Sequence, residues 1–191
     1  MKNIFVGCSS AENITDKTFF YETEKVAHIL GEKKYNLVFG ACNYGLMGVV
    51  YRTMLSYGSN VIGVAPEIYK DDFKELNCTE EYVTKTVDER SSILINRADL
   101  ILFLPGGTGT LEELMTAIEM KRRKEIDKPI IIYDINDFYL PFIHLLKEMD
   151  RYKFSSEAEN LIKYINNTET LKQTIDNLNS WETSKRELKL K

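Results

Sequence analysis

Asp99-Leu100-Ile101-Leu102-Phe103-Leu104-Pro105-Gly106-Gly107-Thr108-Gly109-Thr110-Leu111-Glu112-Glu113 decides the fold of this 191-residue chain. The run from Leu100 to Leu104 is apolar at every position, so neither face alternates with polar residues. Such a strand is buried on both sides, as in the centre of a parallel sheet. It stops at a proline and three glycines, and Leu111, Glu112 and Glu113 then open a helix predicted to run to about residue 124. A buried strand, a glycine turn and a helix form the leading part of a βαβ unit.

The same alternation extends outward in both directions. Upstream, residues 4–8 (Ile-Phe-Val-Gly-Cys) read as a strand ending in a turn at Ser9-Ser10. Residues 16–34 carry Phe19, Phe20, Val26, Ile29 and Leu30 at helical spacing, with Asp16 as the expected N-cap. Residues 37–40 and 60–65 read as strands, separated by a helix over residues 45–57. Residues 67–81 are polar and irregular, and a loop of that length suggests a lid or substrate loop. A short strand over residues 82–86 and a helix carrying Ile93, Leu94 and Ile95 lead into the central strand. Downstream come a strand at residues 129–133, a helix at 137–149, a strand at 161–165 and a helix at 168–178, with a frayed polar end. The expected architecture is α/β: a doubly wound parallel sheet with helices on both faces, one domain over residues 1–180 and a tail over 181–191. Its site should lie at the C-terminal ends of the strands, where strand order reverses.

Composition narrows the function. With 43% apolar residues the chain can bury a core, which excludes a disordered chain. Its net charge of −4 argues against broad binding to nucleic acid or an anionic membrane surface. Three cysteines without a CxxC spacing, and two isolated histidines, indicate neither a disulfide framework nor a metal site. The opening apolar run is too short for a signal peptide, and no run reaches a membrane span, so a cytoplasmic protein is expected.

The glycines of Gly106-Gly107-Thr108-Gly109-Thr110 allow backbone to approach a ligand, and the N–H groups of the helix behind them can hold a phosphate or carboxylate. The spacing is neither the dinucleotide fingerprint nor the P-loop, which needs a lysine after the glycines. Thr110-Leu111-Glu112-Glu113 also fits a helix capping box, in which Glu113 would accept the Thr110 N–H. A second glycine loop, residues 40–48 with Gly45 and Met47, and a third polar loop with Ser10 fall on the same sheet edge. Arg90 opens the helix before the central strand, where the helix dipole disfavours a cation. It is therefore either a solvated surface residue or one held for function.

Pro105-Gly106-Gly107-Thr108-Gly109-Thr110-Leu111-Glu112-Glu113 and Gly45-Leu46-Met47-Gly48 resemble the PGGxGTxxE and GLMG motifs of the "lonely guy" (LOG) phosphoribohydrolases, often labelled lysine decarboxylases. Arg90 stands in the place of that family's Arg-Lys pair. The resemblance covers residues 3–178 and implies a Rossmann-like fold and a likeness in chemistry: hydrolysis of the N-glycosidic bond of a nucleoside 5′-monophosphate to free base and ribose 5-phosphate, with no cofactor or metal. It implies that Arg90 and Glu113 are catalytic and that Gly106, Gly107, Thr108, Gly109 and Thr110 hold the phosphate, with Glu112 on the ribose. Ser91, Ser10, Gly45 and Met47 complete the expected substrate contacts, and a homodimer is implied. The chain departs from the family at Ser91, where a Lys is usual, at Ala41-Cys42, where glycines are usual, and at Val87-Asp88 before Arg90. These departures bear on the base: adenine, an N6-modified adenine or a pyrimidine. The alternative is a nucleotide sensor or carrier of the same fold that does not hydrolyse its ligand.

Overall fold

The computed structural model describes residues 2–155 and 158–189. Seven strands, β1 (Asn3–Gly7), β2 (Asn36–Phe39), β3 (Val61–Pro66), β4 (Glu80–Thr84), β5 (Leu100–Phe103), β6 (Ile130–Tyr133) and β7 (Lys163–Ile165), form one sheet in the order β4-β3-β2-β1-β5-β6-β7. Every pairing is parallel. Five α-helices lie between strands, α1 (Thr18–Glu32), α2 (Gly45–Ser56), α3 (Val87–Arg97), α4 (Thr108–Arg122) and α5 (Leu140–Arg151), and a sixth, α6 (Thr168–Lys189), follows β7. The expected doubly wound, Rossmann-like α/β fold is the one observed.

Alternation along the two central strands sorts the core into two layers. Ile4 and Val6 of β1 and Leu100 and Leu102 of β5 pack with Val26 of α1, Leu46 of α2 and Leu171 of α6. Phe5, Ile101 and Phe103 face the opposite way, against Leu94 of α3, Leu114 of α4 and Leu146 of α5. Phe5 and Phe103 meet edge to face, ring centroids 5.6 Å apart. Each such side chain contributes about 1.5–3 kcal/mol through removal from water.

The chain walks outward from β1 to β4, then returns to the other side of β1 as β5 and walks outward again to β7. The strand order therefore reverses between β1 and β5, which opens a crevice at their C-terminal ends. There Leu104 N–H bonds the Gly7 carbonyl (2.9 Å), Ser9 N–H bonds the Pro105 carbonyl (3.1 Å) and Met47 N–H bonds the Ser9 carbonyl (3.0 Å). All three polar loops singled out in the sequence are thus stitched together by backbone.

Several elements differ from expectation. Residues 67–81 are only partly a loop: Glu67–Glu75 forms 3₁₀ turns kinked at Tyr69, with Phe73 buried on Ala41 and Ala65, and β4 begins at Glu80 rather than residue 82. Asp16 does not occupy the N-cap of α1, which falls to Lys17; Asp16 Oδ1 instead accepts the Thr18 N–H at 2.9 Å. The side-chain N-cap belongs to α3, not α4, and its glutamate bonds the residue before the cap. Thr86 Oγ1 accepts the Glu89 N–H at 3.1 Å, while Glu89 Oε2 accepts the Lys85 N–H at 2.9 Å. The polar end continues as α6 to Lys189, so the boundary at 180 falls inside a helix, and residues 190 and 191 lie outside the described ones. Among the described residues, no helix is long and apolar enough to cross a membrane.

Candidate active site

β5 delivers the chain to Pro105, and α4 starts at Thr108 with Gly107 as N-cap; its first intrahelical bond runs from Leu111 N–H to the Gly107 carbonyl at 3.1 Å. The N–H groups of Thr108, Gly109 and Thr110 precede that bond and have no intrahelical acceptor, which makes this turn an anion cradle. Gly107, Thr108 and Gly109 are exposed, and a Cβ built on either glycine would meet nothing within 4 Å. These two glycines leave room on the solvent side. Gly106 has a different reason: a Cβ there would stand 2.2 Å from Thr110 Oγ1. Thr110 accordingly folds beneath the loop and is buried, so of the two threonines only Thr108 presents its hydroxyl outward.

Beneath the cradle lies the ion pair that the sequence left undecided. Arg90 Nη1 stands 2.5 Å from Glu113 Oε1, with side chains only 16% and 5% exposed. Arg90 is not a solvated surface residue, and Glu113 does not cap α4. The Thr86 cap at the start of α3 sets the first turn from which Arg90 reaches inward, where its Nε donates to the Val64 carbonyl at 3.3 Å. Gly40 makes this path possible, because a Cβ there would be 2.1 Å from Arg90 Nη2 and 3.3 Å from the Met47 thioether. On the far side, a Cβ at Gly7 would come within 3.2 Å of Glu113 Oε2. Burial pushes the Glu113 carboxyl above the usual carboxylate range; Arg90 pulls it back and Glu112 adds to the rise.

Glu112 points elsewhere. Ser91 Oγ donates to its Oε2 at 2.8 Å, and Thr116 Oγ1 donates to its Oε1 at 3.0 Å. Ser91, expected to touch substrate, is fully buried and turned to Glu112. The Arg90 and Ser91 positions therefore engage the Glu113 and Glu112 positions in parallel, linking α3 to α4.

The remaining expected residues form the opposite wall. Gly45 adopts φ +58°, and a Cβ there would lie 2.6 Å from the Ala11 carbonyl oxygen, so the loop carrying exposed Ser10 rests directly on the start of α2. Gly45→Ala combines left-handed strain with a backbone clash. It is expected to cost about 1–3 kcal/mol, read as a lowered melting temperature. Met47 is nearly buried beside Gly40. Cys42 is no activated nucleophile: burial pushes its thiol up, and Cys78 is likewise raised, to about 11. Gly7, Thr116 and the Val64 carbonyl were not singled out as site groups from sequence, and Gly40 only as the first residue of the second glycine loop; the three-dimensional path of Arg90 and Glu113 brings them in. No cluster of His, Cys, Asp and Glu suited to a metal occurs among the described residues.

Comparison with known proteins places the chain in a family. Residues 47–176 match the family described as "Possible lysine decarboxylase". The chain is 29% identical over 180 residues to a cytokinin riboside 5′-monophosphate phosphoribohydrolase of Arabidopsis thaliana, covering 92% of this chain and 83% of that protein. A probable enzyme of the same name from that plant is 32% identical over 142 residues, covering 72% and 69%. The phosphoribohydrolase of Rhodococcoides fascians is 27% identical over 126 residues, covering 65% and 64%. Among solved structures, the molybdenum cofactor binding protein of Rippkaea orientalis superposes with a TM-score of 0.67 at 18% identity, over 93% of this chain and 98% of that one. The molybdenum cofactor carrier protein of Chlamydomonas reinhardtii gives 0.68 at 15% identity, over 94% and 99%. At that identity the two share the fold alone. By its family match and these curated relatives, the chain belongs to the LOG family, whose family description reads "Possible lysine decarboxylase".

Proposed function

We propose that this protein is a nucleoside 5′-monophosphate phosphoribohydrolase acting on adenine-type or N6-modified adenine nucleotides. The observation that carries the reading is the buried Arg90–Glu113 pair directly beneath the open N-terminal turn of α4. In this reading Gly106, Gly107, Thr108, Gly109 and Thr110 hold the 5′-phosphate through backbone N–H groups and the Thr108 hydroxyl. Ser10, Gly45 and Met47 form the facing wall, and Glu112, held by Ser91 and Thr116, faces the ribose.

N-glycoside cleavage builds positive charge on the anomeric carbon. A preorganised carboxylate stabilises that charge and accepts a proton from the attacking water. Glu113 supplies the carboxylate. The bond to the base breaks, its electron pair leaves with the base nitrogen, water adds its hydroxyl to the anomeric carbon, and the water proton passes by way of Glu113 to the departing base. Arg90 pulls the Glu113 carboxyl down against the effect of its burial and directs its oxygens. No metal or organic cofactor enters this mechanism.

The test is a panel of adenine, N6-substituted adenine and pyrimidine mono-, di- and triphosphates, with free base scored by chromatography. Release from monophosphates alone is expected. Binding without release from any of them would leave the sensor or carrier reading in place. Within the panel, Gly40→Ala should lower release by about 100-fold, because displacing the guanidinium by an ångström spoils the pair's alignment. We further propose a cytoplasmic homodimer that binds neither nucleic acid nor membrane. The exposed Phe138, Leu140, Leu145, Tyr152 and Phe154 on and beside α5 support an association surface; light scattering after gel filtration reads the mass.

A further inference from the structure

The end of β5 is held by a buried polar relay that the reaction itself does not use. Leu104 lies past the last β5–β6 pair, Phe103 with Ile132, so its carbonyl has no strand partner on that side. Tyr139 supplies one: its hydroxyl donates to the Leu104 oxygen at 2.8 Å, and the residue is 1% exposed. Tyr139 is in turn fixed by Asp134, whose Oδ1 accepts the Tyr139 N–H at 2.9 Å. Asp134 is 2% exposed, and its other oxygen accepts the Tyr164 hydroxyl from β7. Between Asp134 and Tyr139 the chain turns through Asn136 and Asp137, both left-handed at φ +55° and +57°, which brings the ring back beneath β5.

Leu104 is followed by Pro105 and then by the cradle. Its amide is bound to Gly7, its carbonyl to Tyr139, and the Pro105 carbonyl to Ser9. Three hydrogen bonds from three elements therefore set where Gly106–Gly109 begins. Two of them are backbone bonds that survive any side-chain change; the Tyr139 bond is the one a single residue controls. Tyr139 touches no open surface, so it reaches a bound anion through the loop rather than by direct contact.

We propose that Tyr139, oriented by Asp134 and Tyr164, is a positioning residue for phosphate binding: it holds the β5 exit so that the Thr108, Gly109 and Thr110 N–H groups converge on the anion. The inference rests on the cradle reading given under Proposed function. It assigns Tyr139 to ground-state binding of the phosphate rather than to the chemical step, because a phosphate held equally in substrate and transition state affects KM and leaves kcat.

The experiment uses the full chain and its Tyr139→Phe and Tyr164→Phe variants, with ribose 5-phosphate binding measured by calorimetry and steady-state base release measured alongside, both well below the melting temperature. Tyr139→Phe is expected to weaken ribose 5-phosphate binding and raise KM by about 5- to 20-fold with kcat within threefold. Tyr164→Phe, which removes one donor from Asp134 without emptying the core, should give a two- to fivefold weakening and serves if Tyr139→Phe does not fold. A lowered melting temperature with unchanged binding and KM overturns the inference, since it marks a purely structural role; a fall in kcat alone also overturns it. Native protein that binds ribose 5-phosphate but releases no base overturns the enzyme reading and leaves this inference to stand on the binding data. Native protein that binds no ribose 5-phosphate overturns this inference, and overturns the enzyme reading as well if it also releases no base.

Discussion

Glu113→Gln is expected to lower base release by about 10²- to 10⁴-fold, the range typical of a positioned proton-transfer group, while ribose 5-phosphate still binds within about threefold of native. The change is nearly isosteric, and the amide oxygen can still accept from Arg90 Nη1, so the packing around Gly7 and Phe103 is kept. What is lost is the negative charge under the anomeric carbon. A Glu113→Gln variant that releases base at the native rate would remove Glu113 from the mechanism. In the native protein the acid limb of the pH profile should lie above the ordinary carboxylate value of about 4.3, because burial outweighs Arg90.

Arg90→Ala should be the more damaging change, because it strikes activity and stability together. Removing one partner of a buried pair leaves the other uncompensated, at about 3–5 kcal/mol. Arg90 is the influence that pulls the Glu113 carboxyl down, so its loss moves that carboxyl further up. A carboxyl raised on folding contributes its full stability below its unfolded value and loses it as pH rises through the folded value. The melting temperature of Arg90→Ala should therefore approach native at acid pH and fall away as pH rises above the ordinary carboxylate range. The double variant Arg90→Ala, Glu113→Gln should recover much of the loss at neutral pH. A pH-independent deficit that persists in the double variant would show that Arg90 acts through packing alone.

Much of the fold is legible in the sequence because its signals are local. The unbroken apolarity of Leu100–Phe103 can be satisfied only between two layers, and Pro105 with its glycines cannot continue a strand. The strands and helices follow with shifts of a few residues. The 3₁₀ turns after β3 escape such a reading because the stretch is short and mostly polar, with Phe73 its one buried residue, packed on Ala41 and Ala65. The capping box reads onto α4 because Thr110 and Glu113 have the right spacing, yet Thr86 and Glu89 have the same spacing and it is Thr86 that caps a helix. A three-residue interval cannot tell which of two helices uses it when one glutamate has a guanidinium within reach.

By itself, the sequence determined the alternation of strand and helix, the glycine cradle ahead of α4 and the identity of the candidate pair, since these depend on hydrophobic period, glycine content and motif. Only the tertiary structure decided that Arg90 and Glu113 are partners, that Ser91 and Thr116 hold Glu112, and that Tyr139 pins the strand leading into the cradle. Most of those links join residues distant in the chain. Parallel pairing of β1 with β5 and their flanking helices creates the proximity, and burial makes it chemically strong; neither leaves a mark in local spacing.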